Sequence, residues 1–243
     1  MMKNQKEGFG YNERLFSRGF RGWIHTARFR WVRQKLSQNE LSTNHVLELG
    51  CFDGKVLEYI EDSPALYMGF DANWENGLDI AKQKYRDKQN YIFRMAQTQD
   101  DMDLGADDVF DLAISMETLE HIDDEKTVCD YLEKISCHLD GYFLITVPTE
   151  KGIVFTLKYL LNKIVSRDAE RYTFKEFINA SLGRTKRVMR LQHNGFDYEN
   201  LVGVVGRYFD IVEISGHPFS FLPVPLCFGV GIVARSKKQN PCS

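Results

Sequence analysis

Hydrophobic and polar positions change period along the chain, and the changes predict strands and helices in turn. Apolar runs typical of buried strands occur at 46–49, 66–70, 91–96, 111–116, 142–147, 209–215 and 228–234. Apolar residues at the helical spacing of three and four are clearest between Val128 and Leu139. Asp197 is a candidate N-cap for the helix that precedes the last two strands. This alternation predicts an α/β fold.

The stretch 45–60 combines a strand, a glycine turn and a helix. After the apolar run, Gly50 and Gly54 bracket a short turn, and apolar residues resume at helical spacing from Val56 to Ile60. Glycines let the backbone of such a turn approach a ligand closely. The first N–H groups of the helix favour a polar or negatively charged group. We therefore expect this turn to hold a nucleotide-like ligand.

The residues around this turn distinguish between two kinds of ligand. Dinucleotide enzymes carry Gly-x-Gly-x-x-Gly here, and Phe52 and Lys55 do not fit that fingerprint. Glu48 places a carboxylate two residues before Gly50, which suits a positive amino group better than a diphosphate. A nicotinamide-dependent enzyme would bind NAD, and Phe52 and Glu48 argue against that alternative.

Asp71 is the second candidate ligand-binding residue. It follows the apolar run 66–70 and lies 21 positions after Gly50, close to the distance at which nucleotide-binding α/β units place an acid on the ribose hydroxyls. A carboxylate suits this position because each of its oxygens can accept one O–H group. The alternative is a surface acid that caps the following helix. Because Asp71 occurs together with Gly50 and Gly54, we favour the interpretation that it binds the ribose.

The overall composition is that of an ordinary globular domain. Of the 243 residues, 43% are hydrophobic and 27% are charged, and the net charge is −3. Because this charge gives no attraction for polyanions, nucleic acid is disfavoured as a partner. The five cysteines are odd in number and lack metal-ligand spacing, which favours reduced thiols. The chain has no apolar leader and no run of about 20 apolar residues, and we expect a cytoplasmic protein.

Basic and aromatic residues are concentrated near the beginning of the chain. Residues 1–37 hold nine Lys or Arg against two acids, with aromatic residues such as Trp23, Phe29 and Trp31 between them. Such a segment could clamp an anionic substrate or make peripheral contact with an anionic membrane. It also fits a helical cap whose rings pack on the domain while its charges stay in water. The sequence leaves these alternatives open.

Two runs of residues resemble motifs of a known family. Glu-Leu-Gly-Cys-Phe-Asp-Gly at 48–54 resembles the first motif of the class I S-adenosylmethionine (SAM) dependent methyltransferases, acidic-x-Gly-x-Gly-x-Gly, with Phe52 in place of the middle glycine. Phe-Asp-Leu-Ala-Ile-Ser-Met-Glu-Thr-Leu-Glu-His at 110–121 closely resembles the fourth motif of ubiquinone-biosynthesis-like methyltransferases. With Asp71, these runs identify the chain by resemblance as a SAM-dependent methyltransferase.

The resemblance implies a fold and a division of the chain. Class I methyltransferases have a Rossmann-like sheet of seven strands, mostly parallel with an antiparallel last strand, and helices on both faces. In this chain, residues 1–40 would form a basic-aromatic helical cap and residues 41–243 the methyltransferase domain. An insertion at about 149–192 would form a lid over the acceptor, or a helix pair packed merely for stability.

Carried over residue by residue, the resemblance also implies a site for SAM and for its product, S-adenosylhomocysteine (SAH). Four residues of the first motif would surround the methionine half, namely Glu48, Gly50, Cys51 and Gly54. The remaining cofactor contacts would be Asp71, Ala72 and Asn73 at the ribose, Gln97 at the adenine, and Met116 beside the methyl donor.

In this interpretation the acceptor is methylated on an oxygen or a nitrogen atom. The sequence indicates the general base less clearly than the cofactor contacts. For a hydroxyl acceptor, His121 or His193 is a candidate general base, oriented by Glu120. A variant in which Glu117, Glu120, His121 and His193 bind a divalent metal ion is a weaker alternative, and no metal is expected.

The sequence looks like methyltransferases of surface-polysaccharide synthesis, so we expect an anionic acceptor such as a nucleotide-linked or lipid-linked sugar. A quinone-like metabolite and a non-catalytic SAM-binding protein are the alternatives.

Overall fold

The computed structural model describes residues 20–152, 154–156, 159, 173–181 and 196–237. The strands are β1 His45–Leu49, β2 Leu66–Asp71, β3 Tyr91–Met95, β4 Phe110–Met116, β5 Leu139–Pro148, β6 Phe209–His217 and β7 Gly229–Ser236. They form one sheet in the order β3-β2-β1-β4-β5-β7-β6. The helices are α1 Phe20–His25, α2 Ala27–Gln38, α3 Gly77–Lys84, α4 Glu125–His138, α5 Phe174–Ser181 and α6 Tyr198–Tyr208.

The predicted strand directions are confirmed. Strands β1 to β5 pair in parallel, while β7 runs antiparallel to both β5 and β6. Alternate residues of β1 point to opposite faces, and both faces are buried because Val46 and Leu47 are each 0% exposed. This burial on both sides explains why the strands are continuous apolar runs. The carboxyl ends of β1, β2, β4 and β5 therefore meet at one edge of the sheet, where open parallel sheets bind ligands.

Helices cover both faces of the sheet, as the resemblance implied. On one face, Val128, Leu132 and Ile135 of α4 and Leu201 and Val205 of α6 join the core. The opposite face is covered by α2 and α3, whose buried residues are Phe29, Trp31, Val32 and Leu36 of α2 and Leu78 and Ala81 of α3. The sheet is thus the middle layer of three.

Helix α2 is fixed to the last two strands by polar contacts as well as by packing. The indole Nε1 of Trp31 donates a hydrogen bond to Oγ of Ser215 at 3.0 Å, and Nζ of Lys35 lies 2.7 Å from Oε1 of Glu213. The Trp31 ring fills the space above Gly231, where any side chain would overlap it. Lys35 is buried, so at this position the expectation that the charges of the basic segment stay in water is wrong.

Two local predictions are wrong. Asp140–Gly141 was expected to turn the chain, but both residues lie inside β5, where the register with β4 shifts between Phe110 and Leu112. Gly141 is required there because a Cβ would overlap the carbonyl oxygen of Asp111. The helix expected after Gly54 is a single 3₁₀ turn, Lys55–Glu58. Its few N–H groups do not provide the helix terminus that the sequence suggested.

Three further expectations concern the cysteines, membrane-spanning helices, and the predicted lid together with His193. Cys51, Cys129 and Cys227 are free, but Cys137 is disulfide-bonded, so the prediction of reduced thiols is wrong at that position. Among the described residues, no helix is long and apolar enough to cross a membrane. His193 and most of the predicted lid at about 149–192 lie outside the described residues.

Candidate active site

The turn after β1 has an unusual backbone that brings it close to β2. Gly50 and Gly54 have positive φ angles of 80° and 67°, and Phe52 adopts 45°, which is strained for a residue with a side chain. The backbone N–H groups of Gly50 and Cys51 both donate to the carbonyl oxygen of Phe70, at 2.7 and 3.1 Å. The two glycines thus allow the tight turn, which lies directly over the end of β2; their contact with a ligand stays a prediction.

Asp71, the last residue of β2, connects this turn to the next loop. Its Oδ2 accepts a hydrogen bond from the backbone N–H of Phe52 at 3.0 Å, and its Oδ1 accepts one from the N–H of Asn73 at 2.8 Å. Burial raises the pKa of the Asp71 carboxyl, although these N–H groups oppose the shift. Each oxygen retains acceptor capacity for a further O–H group, since a carboxylate has about four lone-pair sites.

Carboxyl groups dominate the electrostatics of this site. Glu48 is buried, and burial raises its pKa well above the usual value, with the charges of Asp53 and Asp71 raising it further. The hydroxyl of Tyr67 donates a short hydrogen bond to Oε2 of Glu48. The cation that follows the turn, Lys55, lies 2.5 Å from Glu58 in an ion pair. Because Glu48 holds its proton more tightly than usual, the negative charge near the turn comes from Asp53 and Asp71, which favour a cationic ligand over a diphosphate.

Glu48 and Cys51 are deeper than the sequence suggested. Both are buried, and Cys51 and the Tyr67 hydroxyl fit there because residue 69 is glycine: a Cβ at that position would lie 2.7 Å from Sγ of Cys51 and 2.8 Å from the Tyr67 hydroxyl. Burial also raises the pKa of the Cys51 thiol well above its usual value. These two side chains therefore support the floor of the turn from below.

The loop after β2 forms the outer rim of the site. Asn73, Glu75 and Asn76 have positive φ angles of 60°, 47° and 61°, and Ala72 between them and β2 is exposed. Oδ1 of Asn73 accepts the N–H of Leu78 at 3.0 Å, which fixes the loop to the start of α3. Such a cluster of strained residues is typical of ligand-binding sites.

Beside this rim the structure shows two apolar residues that sequence reasoning missed. Trp74 is 55% exposed and Met95, which pairs with Asp71 across β2 and β3, is 59% exposed. Large apolar side chains left in water next to a candidate ribose site provide a surface for a flat aromatic ring. No spacing rule in the sequence marks them, because their exposure depends on the strand ends that surround them.

Gln97 lies in the loop after β3 and is exposed. The backbone N–H groups of Gln97 and Thr98 donate to Oδ2 of Asp101, at 2.9 and 2.8 Å. These bonds lower the pKa of Asp101, with the Thr98 backbone contributing most. Asp101 therefore shapes the loop, and the Gln97 side chain stays the candidate for contact with the adenine on this rim.

The comparison with protein families decides between the candidate ligands. A family model described as a methyltransferase domain matches residues 20–201, three quarters of the chain. The chain belongs to the class I SAM-dependent methyltransferases. It is an enzyme of this family, with SAM as its methyl donor. A search of curated proteins finds no match.

Solved structures show the same fold as this methyltransferase at low sequence identity. A SAM-dependent methyltransferase from Clostridium acetobutylicum is 15% identical with a TM-score of 0.59, over 86% of this chain and 91% of the other. The N-methyltransferase NodS from Bradyrhizobium japonicum is 11% identical with a TM-score of 0.58, over 88% and 97%. Magnesium protoporphyrin IX methyltransferase from Synechocystis, with bound SAH, is 15% identical with a TM-score of 0.55, over 93% and 92%.

The end of β4 brings the second motif of the methyltransferase against the first. Met116 is buried at the strand end, and Glu117 has a φ of 52° while its N–H donates to the carbonyl oxygen of Thr146 at 2.8 Å. The Thr118 side chain occupies the space where Gly50 has no Cβ. The two motifs are therefore in direct contact, which places Met116 close to the glycine turn.

Glu120 and His121 follow in the 3₁₀ turn Leu119–His121, and they differ in exposure. Glu120 is 0% exposed, whereas the His121 side chain is 51% exposed, and Nε2 of His121 lies 4.0 Å from Oε1 of Glu120. That distance exceeds a hydrogen bond. Within the described ranges, no group of three His, Cys, Asp or Glu side chains is arranged to hold a metal ion.

Proposed function

We propose that this SAM-dependent methyltransferase transfers its methyl group to a hydroxyl oxygen of a sugar, carried by a nucleotide, a lipid or a glycan. The observation that supports a polar acceptor is the buried, polar edge of β4 and β5 beside Met116, which includes Glu120 and Thr146. An apolar acceptor such as a quinone would favour an apolar lining instead. A nitrogen acceptor fits the same fold, as NodS shows by its name.

In this proposal the cofactor lies across the ends of β1, β2 and β4. Gly50, Gly54 and the supporting Glu48 and Cys51 hold the methionine half, whose positive charge suits the nearby carboxylates of Asp53 and Asp71. Asp71 accepts hydrogen bonds from the ribose hydroxyls, with the backbone of Ala72 and Asn73 beside it. Gln97, Trp74 and Met95 surround the adenine. Met116 lies next to the reacting centre.

Bound SAM supplies a methyl group that is already electrophilic. The protein then has to hold the acceptor oxygen in line with that methyl group and exclude water. The proton of the hydroxyl has to pass to a base as the oxygen reacts. His121, half exposed and next to Glu120, is the candidate within the described residues.

The basic segment gives this acceptor a second contact. Arg30 and Arg33 on α2 are exposed, and Arg33 pairs with Glu61 on the surface at 3.0 Å. A phosphate attached to the sugar would be attracted to this helix while the sugar reached the sheet edge. If the sugar is carried by a lipid, the same basic helix would be attracted to the surface of an anionic membrane.

The cytoplasmic location stays a prediction, and the disulfide at Cys137 removes one of the observations that supported it.

The test uses the full chain with methyl-labelled SAM and separate pools of nucleotide sugars, lipid-linked sugars, quinols and RNA. We expect label in a sugar pool, and mass spectrometry of the product to locate the methyl group on a hydroxyl oxygen. Label that appears only in quinols or RNA would overturn the sugar assignment. Retained SAM or SAH, detected by mass spectrometry of the purified protein, is the control for an intact cofactor site.

A further inference from the structure

Helix α2 extends beyond its anchor in the sheet towards the catalytic edge. Lys35 contacts Glu213 and Trp31 contacts Ser215, so moving back along α2 corresponds to moving forward along β6. Arg28 is three residues before Trp31, which places it on the same face of the helix and about 4.5 Å further along the axis. The next position in this register along β6 is His217. Arg28 is thus directed to the carboxyl edge of the sheet.

The strands below present a row of residues on the face that α2 covers. Met116 pairs with Thr146, Thr146 with Gly231, and Gly231 with Ser215. Directly paired residues point to the same face, and the Trp31 ring above Gly231 identifies that face as the one under α2. Thr146 is therefore between Met116 and the Trp31 ring, next to the predicted position of the reacting methyl group.

Polar atoms in this region are buried without a hydrogen bond. Across the part of the chain that the structure describes, neither oxygen of Glu120 has a hydrogen-bond partner, and the same holds for Oγ1 of Thr146 and Nε of Arg28. Glu120 and Thr146 are each 0% exposed. A buried polar group without a partner is destabilising, and a carboxylate is more so. Because buried polar groups in folded proteins are nearly always hydrogen-bonded, this cluster indicates a place for a polar ligand.

Arg28 and Glu120 are close enough to interact electrostatically. Burial is the main cause that raises the pKa of Glu120, the carboxylates of Glu117 and Glu150 raise it further, and the Arg28 guanidinium lowers it. Two further carboxylates and one guanidinium thus act on Glu120. This balance disfavours an anionic group beside it.

We propose that Glu120, Arg28 and Thr146 form the subsite that binds the hydroxyl groups of the acceptor, with Arg28 supplied by the N-terminal cap. This assignment rests on the proposed function and gives it a substrate class, a neutral ring with neighbouring hydroxyls. The guanidinium can only donate hydrogen bonds, and the carbonyl oxygen of the Glu120 carboxyl group can only accept them. A hydroxyl group does both, so a pair of adjacent hydroxyls can satisfy Arg28 and Glu120 together. An ammonium group cannot, because it has no acceptor.

The test is saturation-transfer-difference NMR on the full chain with saturating SAH. The probes are the methyl glycosides of glucose, galactose, mannose and rhamnose, together with myo-inositol; ethanolamine and benzoate are the cationic and anionic controls. We expect signals from one or more of the neutral polyols that exceed those of both controls. Absence of a polyol signal from every probe, or a stronger signal from ethanolamine or benzoate, would overturn the proposal.

Two variants with matched controls locate the binding. Glu120→Gln keeps the shape but replaces one carboxyl oxygen by an amide nitrogen that cannot accept a hydrogen bond, and Arg28→Lys removes the Nε donor; each should weaken polyol affinity about ten-fold or more. Asp87→Asn and Arg86→Lys make matching changes at an exposed surface pair and should leave it unchanged. Equal affinity in Glu120→Gln and in the wild type contradicts the assignment.

Calorimetry with SAH separates this inference from the proposed function. SAH should bind the wild type and Glu120→Gln with similar affinity, and urea unfolding should show that both are folded. If SAH binds but no polyol does, the subsite is wrong while the cofactor site stands. If SAH does not bind the wild type, the proposed function itself fails.

Discussion

The carboxylate of Asp71 accepts the backbone N–H of Phe52 at 3.0 Å, so the acid at the tip of β2 holds the turn that follows β1. Phe52 stands where the family motif has its middle glycine, and it adopts a φ of 45°. The hydrogen bond therefore stabilises a backbone conformation that a side chain makes costly. Asp71 thus shapes the turn, and in the proposed function it also binds the ribose.

The first prediction concerns cofactor affinity. Asp71→Asn retains the size of the side chain but replaces one acceptor oxygen by an amide and removes the charge. Because hydrogen bonds to charged groups contribute about 1.5–3 kcal/mol, the affinity for SAH should fall about 10–100-fold in calorimetry. Asp87→Asn, at a side chain that is 92% exposed, is the control and should bind SAH normally. Undiminished affinity in Asp71→Asn would remove Asp71 from the site.

The second prediction concerns the contact between the two motifs. Gly50→Ala forces a Cβ into the Thr118 side chain and requires a φ of 80°, so we expect a loss of about 1–3 kcal/mol in the free energy of unfolding. Thr118→Gly in the same chain removes the overlap but not the backbone strain. A double-mutant cycle by urea unfolding should therefore show partial rescue. Strict additivity of the two changes would mean that the contact is unimportant.

The third prediction concerns the pH dependence of stability. Burial raises the pKa of Glu48 in the folded protein, so the folded state binds its proton more tightly than the unfolded state. The stabilisation is complete below the unfolded pKa and is lost as pH rises through the folded pKa. Glu48→Gln can keep a hydrogen bond with Tyr67 and has no proton to lose.

Urea unfolding of wild type and Glu48→Gln between pH 4 and pH 8 measures this difference. The stability of Glu48→Gln relative to wild type should increase with pH, by at most about 1.4 kcal/mol per pH unit, until the folded pKa is passed. Glu61→Gln, at an exposed carboxyl, should run parallel to wild type. A gap between Glu48→Gln and wild type that stays constant with pH would contradict the assignment.

The fourth prediction compares two glycines. Gly231→Ala would overlap the Trp31 ring and should cost about 1–3 kcal/mol, as other overpacked cores do. Gly203, inside α6, has nothing within 4 Å of the position that a Cβ would take. Gly203→Ala should therefore stabilise the protein by about 0.4–1 kcal/mol through its helix propensity. Thermal unfolding of both variants checks the two opposite signs.

Much of the fold could be predicted because strands buried on both faces leave continuous apolar runs. The strand that begins at His45 and the one that ends at Asp71 were located within a residue or two. Strand β5 was predicted too short because Asp-Gly is a frequent turn pair, and here Gly141 instead lets two strands approach at a register shift. The apolar residues after Gly54 fit one helical turn as well as several, so the pattern could not predict how long that helix is.

The candidate site could be located but not built from the sequence. Spacing placed Gly50 and Asp71 at neighbouring strand ends, yet it could not show that Asp71 binds the backbone of Phe52. The bond between Tyr67 and Glu48 depends on the register of β1 against β2. Arg28 was counted only as one basic residue among nine, since its relation to Glu120 depends on how α2 docks on β6.

The bond between Trp31 and Ser215 joins residues that are 184 positions apart. A ribosome adds about 5–20 residues per second, so roughly ten to forty seconds separate the synthesis of the two partners. During this interval the indole of α2 has no strand to dock against, and its apolar face is open to chaperones and to other nascent chains. Helix α2 is therefore synthesised before the sheet but completes its packing only with the last strands. Newly made protein acquires its full catalytic edge only after translation has passed β7.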